Sequence, residues 1–200
     1  MIMSKPTSIS LLKRICKENA DPQDWKRFYD LYWPLLISWA RRHFQLQDAD
    51  AEDLAQKVLL VVVKKLPKFQ HNGRVGAFRK WLRETFRNRV MDFQRSKKYR
   101  PVATGKTDFQ QQLNELADDS SGISQIWNRE YEEFVMKKLM ELVEPDFEPK
   151  TWLAFRRLVF DGVSADVVAT VLDMTLGAVY TAKYKVLKAL KDEARGLIDM

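Results

Sequence analysis

Four cations and an indole fall together between positions 79 and 87, where Arg79, Lys80, Arg83 and Arg87 flank Trp81. Basic side chains interleaved with rings suit single-stranded nucleic acid: the cations track the backbone while a ring stacks on an exposed base. A second constellation, Thr175, Tyr180, Thr181, Lys183, Tyr184, Lys185 and Lys188, supplies hydroxyls, aromatic edges and ammonium groups. Phosphates and base edges require that chemistry. A third is a polar helical face on which Asp53, Gln56, Lys57, Leu60 and Lys64 recur at spacings of three and four. Its one apolar member, Leu60, could anchor a protein partner.

Each constellation also has a plainer reading. Trp81 and Phe86 could be core, with the charges around them keeping a helix soluble. The lysines after Thr175 could form an ordinary solvated face, and so could Asp53 to Lys64. For the first group the sequence favours nucleic acid, because the acids needed for a neutral, salt-bridged face are missing nearby. For the third, spacing alone favours the solvated face.

No catalytic constellation survives inspection. The chain has seven glycines and no phosphate-cradling glycine loop. Asp48, Asp50, Glu52 and Asp53 could be imagined as metal ligands, but acids at a helix start are explained by the helix dipole. His43 and His71 lie near no serine or cysteine that would make a nucleophile. Cys16 is the only cysteine, which excludes an intrachain disulfide and argues against structural zinc. The expectation is a protein that is not an enzyme and uses no cofactor.

The positioning elements read as helices. Asp24–Trp33 and Leu35–Phe44 carry apolar residues at helical spacing, and Pro34 either kinks one long helix or starts a second. A helix opens at Asp50 or Ala51 and runs to about Leu66, with Leu54, Val58, Val61 and Val62 opposite the polar face. His71-Asn72-Gly73 signals a turn. A long helix follows from about Val75 to Lys98, with Phe78, Leu82, Phe86, Val90 and Phe93 as its inward stripe.

Val163 to Leu190 reads as two short helices around a tight turn. Ser164 can cap the first, whose apolar side is Val167, Val168, Val171 and Leu172, with small Ala169 at a close crossing. Asp173-Met174-Thr175 makes the turn, and Thr175 can cap the second helix. Val179, Ala182, Val186 and Leu190 form that helix's buried stripe. Buried, small and capping residues all fall at helix-turn-helix spacing.

Charge divides the chain. Arg74 to Arg100 holds ten basic residues against Glu84 and Asp92, whereas Thr107 to Pro149 holds eleven acids against Arg129, Lys137 and Lys138. The whole carries +7 with a pI near 9.4, which favours a polyanionic partner. Pro101 to Gly122, rich in Gln, Asp, Ser and Thr, reads as a flexible linker. No hydrophobic signal core opens the chain, and the longest apolar run, Val58 to Val63, is too short to span a bilayer. A cytoplasmic protein with no membrane insertion is expected.

DAEDLAQKVLLVVVKKLPKF (Asp50–Phe69) followed by FRKWLRETFRNRVMDFQR (Phe78–Arg95) resembles the N-terminal conserved domain of sigma factors. AVYTAKYKVLKALKDE (Ala178–Glu193) resembles the end of their C-terminal helix-turn-helix. Order, spacing and the acidic connector are similar to the extracytoplasmic-function (ECF) class of the sigma-70 family, from about Trp25 to Leu197. The resemblance implies an all-α fold of two small helical domains joined by an acidic flexible linker. Its parts would be an N-terminal segment (1–22), a core-binding and melting domain (23–100), the linker (101–125) and a helix-turn-helix domain (126–200).

It further implies a factor that binds core RNA polymerase and directs promoter recognition, melting and transcription initiation alongside the nucleoid. Core polymerase would meet Asp53, Leu54, Gln56, Lys57, Val58 and Leu60, with Lys57 where the family usually has Glu. Promoter melting and −10 recognition would fall on the loop Asn72 to Gly76 and on Arg79, Lys80, Trp81, Arg83, Arg87, Asn88, Asp92 and Arg95. The −35 duplex would meet Thr175, Tyr180, Thr181, Lys183, Tyr184, Lys185 and Lys188. Asp173 stands where the family's turn often has Gly, and Asp tolerates the left-handed conformation. The family also admits an inhibitory anti-sigma protein as partner. Two rivals are a conventional helix-turn-helix regulator that binds duplex DNA without core polymerase, and a metal-dependent nuclease using the Asp50–Asp53 acids.

Overall fold

The computed structural model describes residues 11–17, 19–69, 76–96, 106–195 and 197. Among these the chain is all-α, with no strand element: α1 (Leu11–Ile15), α2 (Pro22–Phe44), α3 (Asp48–Lys65), α4 (Ala77–Arg95), α5 (Lys106–Ala117), α6 (Gly122–Val143), α7 (Pro149–Val159), α8 (Ala165–Val171) and α9 (Leu176–Ala194). They form two units, Leu11–Val135 and Met136–Arg195.

In the first unit α2 sets the frame. Asp21 accepts a hydrogen bond from the Gln23 N–H at 2.8 Å, and Pro22 fills the first turn, where a missing N–H costs nothing. Pro34 does not start a second helix, since α2 runs through it. α2 ends on Gln45 in the left-handed region, φ 50°, with the Gln45 N–H donating to the Ala40 carbonyl. Its buried stripe, Phe28, Leu31, Tyr32, Leu35, Leu36 and Trp39, packs on α3, which buries Leu54, Val58 and Val62. α3 packs in turn on α4, and the Phe28 and Tyr32 rings reach Phe78 of α4 at 6.1 and 5.6 Å. Short α1 buries Leu11, Leu12 and Ile15, and Arg14 pairs with Asp24 of α2 at 3.0 Å.

The segment expected to be a flexible linker is helical over Lys106–Ala117. Phe109, Leu113 and Leu116, at helical spacing, are buried, and α5 packs on α4. The expected boundary at 126 also differs from the observed division, which falls inside α6 after Val135. Large side chains explain the shift. Trp127 lies 4.5 Å edge-on from Trp39 and 5.4 Å from Phe86, and the Tyr131 hydroxyl meets the Tyr32 hydroxyl at 2.9 Å in the interior. Burying two such rings outweighs the polar composition around them.

In the second unit Ala154, Ala165, Val168, Val179 and Ala182 form a core with Leu158, Val163, Ala169, Leu172 and Met174 against it. α8 and α9 are bent by 105° at the intervening turn. Asp173 takes φ 48° there, and the Met174 N–H reaches back to the Ala169 carbonyl at 2.9 Å, closing α8. Thr175 caps α9, its hydroxyl accepting from the Ala178 N–H at 3.1 Å. Ser164 stands at the N-cap of α8 without a side-chain cap bond. Val167 and Val171, expected on the apolar side of α8, are exposed. The buried side is instead 165, 168, 169 and 172, the i, i+3, i+4, i+7 set that one helical face requires. No single described helix is long and apolar enough to cross a membrane.

Candidate nucleic-acid and partner interfaces

On α3, Gln56, Lys57, Leu60 and Lys64 point outward and Asp53 is half-buried. The Lys57 ammonium donates to Asp53 at 2.6 Å across one helical turn, so the two charges neutralise each other. Leu60 is 52% exposed, and Val63, which the spacing argument did not single out, is 47% exposed beside it. Leu54 and Val58 belong elsewhere. Both are fully buried, so their place in a partner surface is corrected to core packing behind it. The acids at the helix start diverge: Asp48 pairs with Arg41 at 2.9 Å, and Asp53 with Lys57. Among the described residues no group of three or more His, Cys, Asp or Glu could hold a metal ion.

α4 begins after Gly76, whose φ of 71° suits glycine. Asn72, assigned to the melting loop, lies outside the described residues. Trp81 is half-buried, with Phe69 at 5.2 Å and Phe78 at 5.7 Å, so one edge of the indole belongs to the core. Asn88 and Arg95 are exposed, as is Asp92, which pairs with Arg89 at 3.1 Å.

The remaining cations are not the open row that the local sequence suggests. Asp119, in the turn between α5 and α6, pairs with both Lys80 and Arg83, and Glu132 of α6 pairs with Arg79. Arg87 donates from Nε to the Leu113 carbonyl at 2.7 Å. Arg83 is only 2% exposed. The acidic partners judged missing are therefore present, supplied from the later acidic tract. The hydrogen bond from Lys80, joined by Arg83, holds the Asp119 carboxyl below its ordinary value against the opposing effect of partial burial. Asp118 is lowered too, by hydrogen bonds from the Ser120 hydroxyl and N–H. Asp119 and Glu132 are the residues that sequence reasoning missed, and the reversal of charge along the chain was their only signal.

On α9, Tyr180, Thr181, Lys183, Tyr184, Lys185 and Lys188 are all exposed, Tyr184 at 65%. The buried Val179, Ala182, Val186 and Leu190 hold them to one outward surface. Two hydroxyls are already engaged: Thr175 caps the helix, and Thr181 donates to the Gly177 carbonyl at 2.8 Å. Thr175 thus positions the face, whereas the tyrosines and lysines form it.

No curated protein matches this chain. Residues 28–100, which hold α3, α4 and most of α2, match the family model described as Sigma-70 region 2.

Proposed function

We propose that the chain is a sigma factor of the ECF class. It binds core RNA polymerase and directs promoter recognition, DNA melting and transcription initiation, while the polymerase performs nucleotidyl transfer. The match of residues 28–100 to Sigma-70 region 2 carries this reading. The outward pair Leu60 and Val63 supports it, because an apolar pair on an otherwise polar face suits a protein partner. In this reading Gln56, Lys57 and Leu60 meet the polymerase. The α4 face with Trp81 and Asn88 captures unpaired bases of the −10 element, and single-strand binding sustains melting. α8 and α9 form a helix-turn-helix, in which Tyr180, Tyr184, Lys185 and Lys188 read the −35 duplex. The protein works in the cytoplasm, needs no cofactor, and is open to control by an anti-sigma protein.

Co-elution with bacterial core RNA polymerase at moderate salt tests the reading, with Leu60→Asp as control. Co-elution that the substitution abolishes is expected. Failure to co-elute, with tight duplex binding by the chain alone, would establish the conventional helix-turn-helix regulator instead.

A further inference from the structure

The acids that meet α4 are not scattered surface charges. Asp119 sits in a built corner: the Ser120 N–H and hydroxyl both donate to Asp118, at 2.9 and 2.7 Å. Ser121 donates to the Glu115 carbonyl at 2.5 Å, and fully buried Ser124 reaches the Glu115 and Leu116 carbonyls, each at 3.2 Å. These hydroxyls satisfy the carbonyls left open at the end of α5. Phe109, Leu113 and Leu116 fix the approach to the corner, and Trp127 and Tyr131 fix the exit from it. Carboxylate oxygens then stand where phosphate oxygens would be held: Asp119 between Lys80 and Arg83, and Glu132 on Arg79. The Leu113 carbonyl occupies Arg87.

The seal is nevertheless incomplete. Asp119 and Glu132 keep about half their side-chain surface in solvent, at 56% and 50%. The Lys80–Asp119 pair is exposed at both ends, and such a pair is individually weak and screened by salt, whereas the Arg83 and Arg79 ends of their pairs are largely covered. Arg83 is buried with its Nε unpaired among the described residues, a cost that the closed arrangement carries.

We propose that the corner between α5 and α6, with Asp119 at its centre and the Leu113 carbonyl and the Glu132 carboxylate beside it, is a built-in lid that mimics nucleic acid. In the free chain it holds Arg79, Lys80, Arg83 and Arg87, and a single strand must displace it to reach α4. The proposal rests on the reading of α4 as a nucleic-acid face. A strand that reaches α4 replaces two carboxylates and a carbonyl with a row of phosphates, so binding by the free chain is held down until the lid opens.

The test is fluorescence anisotropy of a labelled mixed-sequence single-stranded 20-mer with the full chain. It compares wild type, the double variant Asp119→Asn/Glu132→Gln, and each of these carrying Lys80→Ala. The double variant should bind about tenfold tighter, with a log–log salt slope steeper by about 2, the contribution of three more cations. Lys80→Ala should weaken the double variant more than wild type. Equal affinities of wild type and double variant, with Lys80→Ala weakening both alike, would overturn the lid and leave the nucleic-acid face standing. Binding indifferent to Lys80→Ala in the double variant would remove the nucleic-acid role of α4, and the lid with it. Hydrogen exchange on unsubstituted protein gives a second readout free of folding effects. Saturating 20-mer should speed exchange across 113–121, and unchanged protection there would overturn the proposal.

Discussion

At the scale of single residues, Asp119 shows how far one carboxylate can redirect a surface. Its depressed pKa has a definite consequence: the pairs to Lys80 and Arg83 are fully formed above the ordinary carboxylate value of 3.8 and are lost only as pH falls through the lower folded-state value. In Lys80→Ala the NMR titration midpoint of the Asp119 carboxyl should rise towards that value, and an unmoved midpoint would show that Lys80 is not its main partner. Asp173 makes a separate case. It stands at φ 48°, and its backbone carbonyl accepts from Lys150 at 2.7 Å, a bond that glycine would keep. Asp173→Gly should therefore raise stability by about 0.5–1 kcal/mol in chemical denaturation. The Thr175 cap was legible in the sequence because capping is local. The Asp119–Lys80 pair was not, because its members lie 39 positions apart and local charge counts carry no tertiary pairing.

The helices themselves separate structural from functional positions. α3 turns Leu54 and Val58 wholly inward and Leu60 outward, so substitution should read the two faces as opposites. Leu54→Ala should cost about 2–5 kcal/mol of unfolding free energy, and Leu60→Ala no more than about 0.5, in urea melts. Gly76, where α4 begins, is a junction of the same kind. A Cβ there would lie 2.8 Å from the Arg79 guanidinium, on a backbone at φ 71°. Gly76→Ala should thus cost about 1 kcal/mol and loosen the Arg79–Glu132 pair, detectable as faster exchange of the Arg79 guanidinium protons. Periodicity placed α2, α3, α4 and α9 closely, because long amphipathic stripes are strong signals. It failed at α5, where Phe109, Leu113 and Leu116 carry a helical stripe but Gln, Asp and Ser dominate the composition. It failed again at α8, too short for its seven residues to separate one face from the next.

For the molecule as a whole, charge and apolar surface are organised by unit. The first unit brings the basic stretch of α4 together with the acids of the α5–α6 corner, so the alternation along the chain becomes neutralisation in space. The second has its own small core and presents the tyrosines and lysines of α9. Val168→Asp should accordingly remove hydrogen-exchange protection from α7–α9 while leaving α2–α4 protected, and loss of protection throughout would show that the two units unfold together. The all-α class and the helix pairs were readable from the chain, whereas the extent of the first unit was not, since it depends on where two rings of α6 find space.

Those rings carry one more consequence. Trp39 and Trp127 meet edge-on at 4.5 Å, with His43 stacked on Trp39 at 4.0 Å. Indoles this close couple their electronic transitions, so the pair should produce an exciton couplet in circular dichroism without any label. Breaking only the Asp119 ion pairs leaves the two indoles together and the couplet intact, whereas withdrawing the first half of α6 abolishes it. The couplet would thus report, without a label, whether Trp127 of α6 stays seated on Trp39 of α2.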